Sequence, residues 1–403
     1  MSGDRFVRGA VAGAVALATL VSGASASAAA SKPRPGVRKD VSSLTARERS
    51  NFVRAVLKLK KTPSPYDRGL NFYDQFVKWH RDLYRCTPGQ RELIAHGGPM
   101  FLPWHRAYVL AFENALRRVS GKRITVPYWD WTSPGSTRAA LRLVGGDGDP
   151  DQDYAVTSGP FRKGRFRIRV NPRQKEYVSS STKWVTRHVG SLGAFAPIPE
   201  AREVAAALAA PRYDASPWDN RADPAKSFRQ ALEGFRDPPE AEGTATSCGS
   251  DHFFHMPEGG DAASQRMHNA VHPWVGGLVL HSDNSVTRGT MMLPTSPNDP
   301  IFFLHHANVD RLWAIWQKRH GIHTYRPLVE VPLNNVDDHM APFTRIGLPD
   351  TPRRVEDIAR LGYRYRDMRG PPPAPAAASR VYERRKRLPP AVARLCRLAG
   401  LTH

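Results

Sequence analysis

Histidines fall on the apolar stripes of this chain's strongest helical patterns, and that placement limits the possible folds more than any other feature. His80 shares one helical face with Tyr73, Phe76, Val77 and Tyr84, and His105 shares another with Phe101, Tyr108, Val109, Phe112 and Leu116. His268 and His272 are four residues apart, which on a helix sets both imidazoles on one side about 6 Å apart along the axis. His305 and His306 follow the apolar run Ile301-Phe-Phe-Leu. Adjacent helical residues diverge by about 100°, so only one of that pair faces a given site. Several helices, each presenting an inward imidazole, describe a bundle able to converge them on a metal.

The remaining donors narrow the metal. Cys86, Cys248 and Cys396 are too few and too widely spaced for a disulfide framework or a CxxC knuckle. Any metal is therefore held by something other than sulfur, which leaves the 15 histidines. Imidazoles without thiolate or carboxylate partners suit copper or zinc.

The rest of the pattern is mainly α. Thr45-Ala-Arg-Glu48 is a capping box that opens a helix through Leu59. Further helices are expected over 70–84 and over 101–119, the latter ended by Ser120-Gly121. Residues 124–184 read as a long loop region with a short strand at Ile124–Tyr128 and a brief alternation at Phe166–Val170. Helical patterning returns over 227–235, 265–272 and 300–319, where Asp299 supplies the N-cap and Pro300 the first helical position. From Gly370 the composition shifts to a Pro-rich linker and a basic tail, 370–403, expected to be an exposed arm rather than a plug.

At the other end, Arg5 and Arg8 precede the apolar stretch Gly9–Gly23 and a run of Ala and Ser to Ala30. This reads as an export signal over 1–30. It is shorter than the roughly 20 residues that cross a bilayer, and no later segment comes close, so the expected product is secreted, with 31–369 as its catalytic domain and no membrane in its mature form. The formal charge of +22, from 59 Lys and Arg against 37 Asp and Glu, invites a nucleic-acid reading. The positive residues are scattered and no nucleic-acid module accompanies them, so they read as solvated surface with no nucleic-acid partner.

Taken in order, the histidine motifs closely resemble those of a known family. His80, then His96 in His96-Gly-Gly-Pro-Met-Phe-Leu-Pro-Trp-His105-Arg, then His268-Asn269-Ala-Val-His272-Pro-Trp, then Ser296-Pro-Asn-Asp-Pro-Ile-Phe-Phe-Leu-His305-His306-Ala-Asn-Val-Asp310 resemble the two copper motifs of tyrosinases. The resemblance runs from about Val37 to Tyr365, where Tyr363-Arg-Tyr365 is similar to the tyrosine motif that closes the catalytic core. It implies a helical bundle around a pair of copper ions, with long loops and a few short strands. His80, His96 and His105 would hold the first copper, and His268, His272 and His306 the second. The resemblance selects His306 over His305, which spacing alone leaves open. His305 would then be a neighbour of the ligands, and Asp310, one turn after His306, would orient an imidazole by accepting its other N–H.

Departures from the family pattern are informative. Some relatives cross-link a Cys two residues before the second histidine; Ile94 stands there, so no thioether is expected. Relative to short bacterial tyrosinases, 234–268 and 277–296 are lengthened and contain Cys248, His252, His255 and His281, which read as loop residues. The aspartates of 147–153 lack the Gly and Glu that a calcium loop would place at Gln152 and Ser158. Glu233, in Leu-Glu-Gly-Phe-Arg, resembles the carboxylate that holds a water together with the asparagine after the first ligand of the second copper, here Asn269. Glu258 or Asp261 could substitute for it. A phenol must lose its proton before it can coordinate copper, so a nearby base separates phenol hydroxylation from catechol oxidation.

The expected activity is that of a tyrosinase: ortho-hydroxylation of small monophenols and oxidation of o-diphenols to o-quinones with O2. A catechol oxidase and an o-aminophenol oxidase are the nearest alternatives, and a dioxygen carrier the remote one. The sequence specifies neither the oligomeric state nor whether a separate chaperone loads the copper.

Overall fold

The computed structural model describes residues 35–84, 95–168, 183–193, 196–219, 221–234, 266–280 and 285–371, together with Arg394. The export signal, almost all of the tail, all three cysteines, His252, His255, Glu258, Asp261 and His281 lie outside the described residues.

In chain order the elements are β1 (Gly36–Arg38), α1 (Ala46–Leu59), α2 (Phe72–Tyr84), α3 (Phe101–Ser120), α4 (Pro134–Val144), β2 (Gly148–Asp149), β3 (Ala155–Val156), α5 (Ala201–Leu208), α6 (Phe228–Glu233), α7 (Met267–Gly276), β4 (Leu278–Leu280), β5 (Val286–Arg288), α8 (Ile301–His320), α9 (Pro352–Val355) and β6 (Tyr363–Tyr365). The mainly α expectation holds. Helix α1 starts at the expected capping box, with Glu48 N–H donating to Thr45 Oγ1 at 3.2 Å and Thr45 N–H to Glu48 Oε2 at 2.8 Å. Helix α3 stops where Gly121 turns left-handed at φ +66°.

Three expectations about the elements need correcting. Ile124–Tyr128 forms no strand; Tyr128 makes only an isolated bridge to Asp40, through Tyr128 N–H to Lys39 O and Val41 N–H to Tyr128 O. The long loop region contains α4, whose start is marked by Ser133 Oγ capping Ser136 N–H and by Pro134 at the first turn, and α5 lies beyond it. Helix α7 continues past His272 through Pro273 to Gly276. Pro273 has no N–H to return to the carbonyl of Asn269, so the helix loses one rung there.

Helices α1, α2, α3 and α8 pack around an aromatic core. Phe112 and Phe303 stack face to face with centroids 3.5 Å apart, and Phe76 meets Phe112 edge-on at 5.3 Å. Every residue of α8 from Ile301 to Gln317 is buried, so this helix is the centre of the bundle rather than one of its faces. A two-stranded parallel sheet ties the two ends of the described domain together, with Gly36 opposite Tyr363 and Arg38 opposite Tyr365. The strands β2–β3 and β4–β5 form two small antiparallel pairs. No helix among the described residues is long and apolar enough to cross a membrane.

Beneath the sheet lies a buried ionic hub. Asp310 accepts from Arg38 Nη1 at 2.9 Å, from Tyr363 and Tyr365 hydroxyls at 2.6 Å each, and from Arg106 Nε. Arg38 also donates to Glu113 at 2.9 Å. Burial alone would raise the Asp310 carboxyl, but Arg106 and Arg38 hold it below the usual carboxylate range. This corrects the expected role of Asp310: it binds two guanidiniums and two phenols, and its partners fix α8 against α3 and β6 instead of orienting an imidazole.

Candidate metal centre

Two groups of buried histidines meet in the middle of the bundle: His80, His96 and His105, and His268, His272, His305 and His306. Within each group one potential ligand atom per residue lies within 4.8 Å of all the others. The groups face each other. The rings of His105 and His306 stack with centroids 4.1 Å apart and planes 12° off parallel, and Phe302 lies against both sides, 5.0 Å from His80 and 4.2 Å from His306.

Backbone and side-chain acceptors set the ring orientations. His80 Nδ1 donates to Pro294 O at 2.7 Å, His105 Nδ1 to Phe101 O at 2.9 Å, His272 Nδ1 to Met291 O at 2.8 Å and His268 Nδ1 to Asn269 Oδ1 at 2.8 Å. With Nδ1 carrying the proton, the lone pair of each ring is on Nε2, the pattern that second-layer partners impose on metal-binding imidazoles. His268 Nε2 lies 3.1 Å from His272 Nε2 and 3.3 Å from His306 Nε2, so three ring nitrogens converge. Two neutral imidazole nitrogens have no proton to share at that distance unless one changes tautomer, whereas a cation among them satisfies all three.

His305 behaves differently. Its ring lies flat against His268 at 5.0 Å and 15°, edge-on to His272 at 5.0 Å, and tilted over Trp131 at 5.1 Å. Neither of its nitrogens has a hydrogen-bond partner among the described residues.

Burial keeps the whole set neutral. It pushes His80 down to about 3 and His272 down to about 4, and it lowers His96, His105, His268, His305 and His306 as well, with further repulsion from neighbouring imidazoles. Lone pairs are therefore available at neutral pH. All-imidazole donors in an apolar, aromatic shell fit copper, and three per ion leave an open position.

Glu233 is fully buried at the end of α6, where its Oε1 accepts from Gly97 N–H at 2.7 Å and its Oε2 from Arg229 Nη1 at 3.2 Å. Burial pushes its carboxyl up to about 7, against the opposing pull of Arg229 and of the Gly97 N–H. Gly234 follows at φ +88°, and a Cβ there would lie 2.0 Å from Arg266 O, so α6 ends in backbone contact with the residue that opens α7. Only glycine allows that approach. Asn269, one turn into α7, is buried and its Nδ2 has no partner among the described residues.

The structure thus gathers all six expected ligand histidines and brings the helix of Glu233 against that of Asn269. Two supporting residues were not visible in the sequence. Asp214 accepts Arg229 Nε at 2.8 Å and Nη2 at 3.1 Å, fifteen residues away and across a turn, where no periodic signal links them. Gly97 is the other: its N–H reaches Glu233 across 136 positions.

Residues 70–319 match the family described as the common central domain of tyrosinase. The chain is 34% identical over 313 residues to a tyrosinase of Streptomyces glaucescens, covering 76% of this chain and 92% of that one. It is 35% identical over 294 residues to a tyrosinase of Streptomyces antibioticus, covering 72% and 86%. A grixazone synthase of Streptomyces griseus is 35% identical over 328 residues, covering 76% and 92%.

Proposed function

We propose a function from one premise: this chain belongs to the tyrosinase family. It is a copper-dependent phenol oxidase, and its two buried histidine groups could hold the copper pair of that family. Small phenols and O2 are the substrates of such an enzyme.

In the proposed site, His80, His96 and His105 hold the first copper and His268, His272 and His306 the second. His306 is preferred to His305 because its Nε2 joins the convergence on His268 Nε2, while His305 packs flat against that ring. When bound, the copper pair supplies the two-electron exchange with O2 that phenol oxidation requires. The proposed reactions are ortho-hydroxylation of a monophenol and oxidation of an o-diphenol to an o-quinone, with O2 reduced to water. The enzyme acts outside the cell, delivered by the N-terminal signal.

The protein's own contribution is a proton acceptor. A phenol with a pKa near 10 loses its proton at neutral pH at a cost of about 4 kcal/mol. Glu233, a fully buried carboxylate between the His96 loop and the head of α7, is the observation that favours hydroxylation over catechol oxidation alone. A water held between Glu233 and the Asn269 amide would pass the phenolic proton to the carboxylate. The test is Glu233→Gln, assayed on a monophenol, a catechol and an o-aminophenol with copper content measured. Monophenol turnover should fall by about 10²-fold or more, in the usual range of general-base effects, and catechol turnover much less. Equal falls in both would make Glu233 purely structural.

A further inference from the structure

We infer that Glu233 has a second task, separate from proton transfer: it is the strut that holds the His96 loop in position for the first copper. His80 and His105 sit on helices, and their rings are fixed by carbonyls of the surrounding chain. His96 comes from the turn 95–100, and the next residue, Gly97, is left-handed at φ +70°. A turn sets a side chain less firmly than a helix does. The far end of this turn is held by the Tyr213 hydroxyl donating to Pro99 O at 2.6 Å and by Met100 N–H donating to Asn334 Oδ1 at 3.4 Å, and the end next to His96 by the 2.7 Å hydrogen bond from Gly97 N–H to Glu233 Oε1.

The strut itself is anchored. Its other oxygen accepts from Arg229 Nη1, and Arg229 is gripped by Asp214 through Nε and Nη2 and by Gln230 Oε1 at 2.7 Å. Asp214 in turn accepts Ser227 Oγ at 2.6 Å. All of these side chains are buried, so each ion must keep its partners and the carboxylate has little freedom to move. Through Gly234 the same stretch abuts Arg266 at the start of α7. The Glu233 side chain therefore ties the loop of a first-copper ligand to α6, and the glycine that ends α6 abuts the helix carrying two second-copper ligands. This inference rests on His96 being a ligand but not on Glu233 being a base.

The two tasks separate by substitution. In Glu233→Gln the amide oxygen can still accept from Gly97 N–H, giving up only the longer bond from Arg229. In Glu233→Ala nothing accepts it. Cu(I) is titrated against a competing chelator in a His272→Ala background, which isolates the first site. Glu233→Ala should weaken that site on the order of 10- to 100-fold, the usual loss when a metal ligand's support is removed, and Glu233→Gln should stay within about threefold of the parent. Parental affinity in Glu233→Ala overturns the strut. Adding His96→Ala should abolish the site; if it does not, the ligand assignment fails and the strut with it. Should Glu233→Ala not fold, amide exchange at Gly97 decides the matter. The strut requires a protected Gly97 N–H in both the parent and Glu233→Gln, and exchange as fast as that of an exposed amide refutes it.

Discussion

Adding one methyl group at Gly234 perturbs the joint between α6 and α7 without touching an ionisable group. The alanine Cβ would lie 2.0 Å from Arg266 O. An ordinary carbon–oxygen contact is about 3.3 Å, so the two segments must part by about 1.3 Å. The backbone at φ +88° is also one that alanine adopts only at a cost of about 1–3 kcal/mol. Glu233 leads that joint on one side, and Asn269 follows it by one turn on the other. A displacement of about 1 Å in a catalytic pair costs about 10²-fold in rate. Gly234→Ala should therefore lower monophenol turnover per bound copper by about 10²-fold and catechol turnover much less, with a fall in Tm of roughly 1–2 °C for each kcal/mol lost. Initial rates on the two substrates, copper content and a thermal melt measure all of this. A folded Gly234→Ala enzyme with the parental ratio of the two rates would show that Glu233 and Asn269 do not act together.

Three further outcomes follow from the same structure. Asp310→Ala leaves the Arg38 and Arg106 guanidiniums buried without their shared carboxylate, and urea unfolding should show a loss of about 3–5 kcal/mol; a loss under 1 kcal/mol contradicts the hub. The folded imidazoles of His80 and His272 titrate near 3 and 4, well below the ordinary 6.5. The unfolded chain therefore takes up protons first, and copper-free protein should lose stability steadily as pH drops below about 6.5, read as a falling urea midpoint; a flat profile between pH 7 and 4 refutes this. Because the Glu233 carboxyl is pushed up to about 7, its basic form is lost progressively as the pH falls through that value. Monophenol turnover should halve near pH 7 on the acid side, and that inflection should vanish in Glu233→Gln.

The sequence showed the elements whose signals are local. The capping box of α1, the glycine stop of α3, and the histidines on apolar stripes depend on residues within a few positions of one another, and they stand where expected. Helix α4 was legible in its Ser133 cap and Pro134 but was submerged in a stretch rich in Gly, Asp and Pro. The role of Asp310 was misread because an acid one turn from a histidine suggests a partner for it. Its actual partners, Arg38, Arg106, Tyr363 and Tyr365, come from three distant segments that only the folded chain brings together. The support of Glu233 by Gly97 and of Arg229 by Asp214 is non-local in the same sense. Spacing alone could not choose between His305 and His306; in the structure, Nε2 of His306 is the one 3.3 Å from His268 Nε2.

Copper counted per chain in two single variants shows whether His80, His96, His105, His268, His272 and His306 hold a copper pair. Purified protein loaded with Cu(I) and passed through a desalting column should carry two coppers, His306→Ala about one, and His305→Ala two. Two coppers in His306→Ala, with one in His305→Ala, would contradict the assignment.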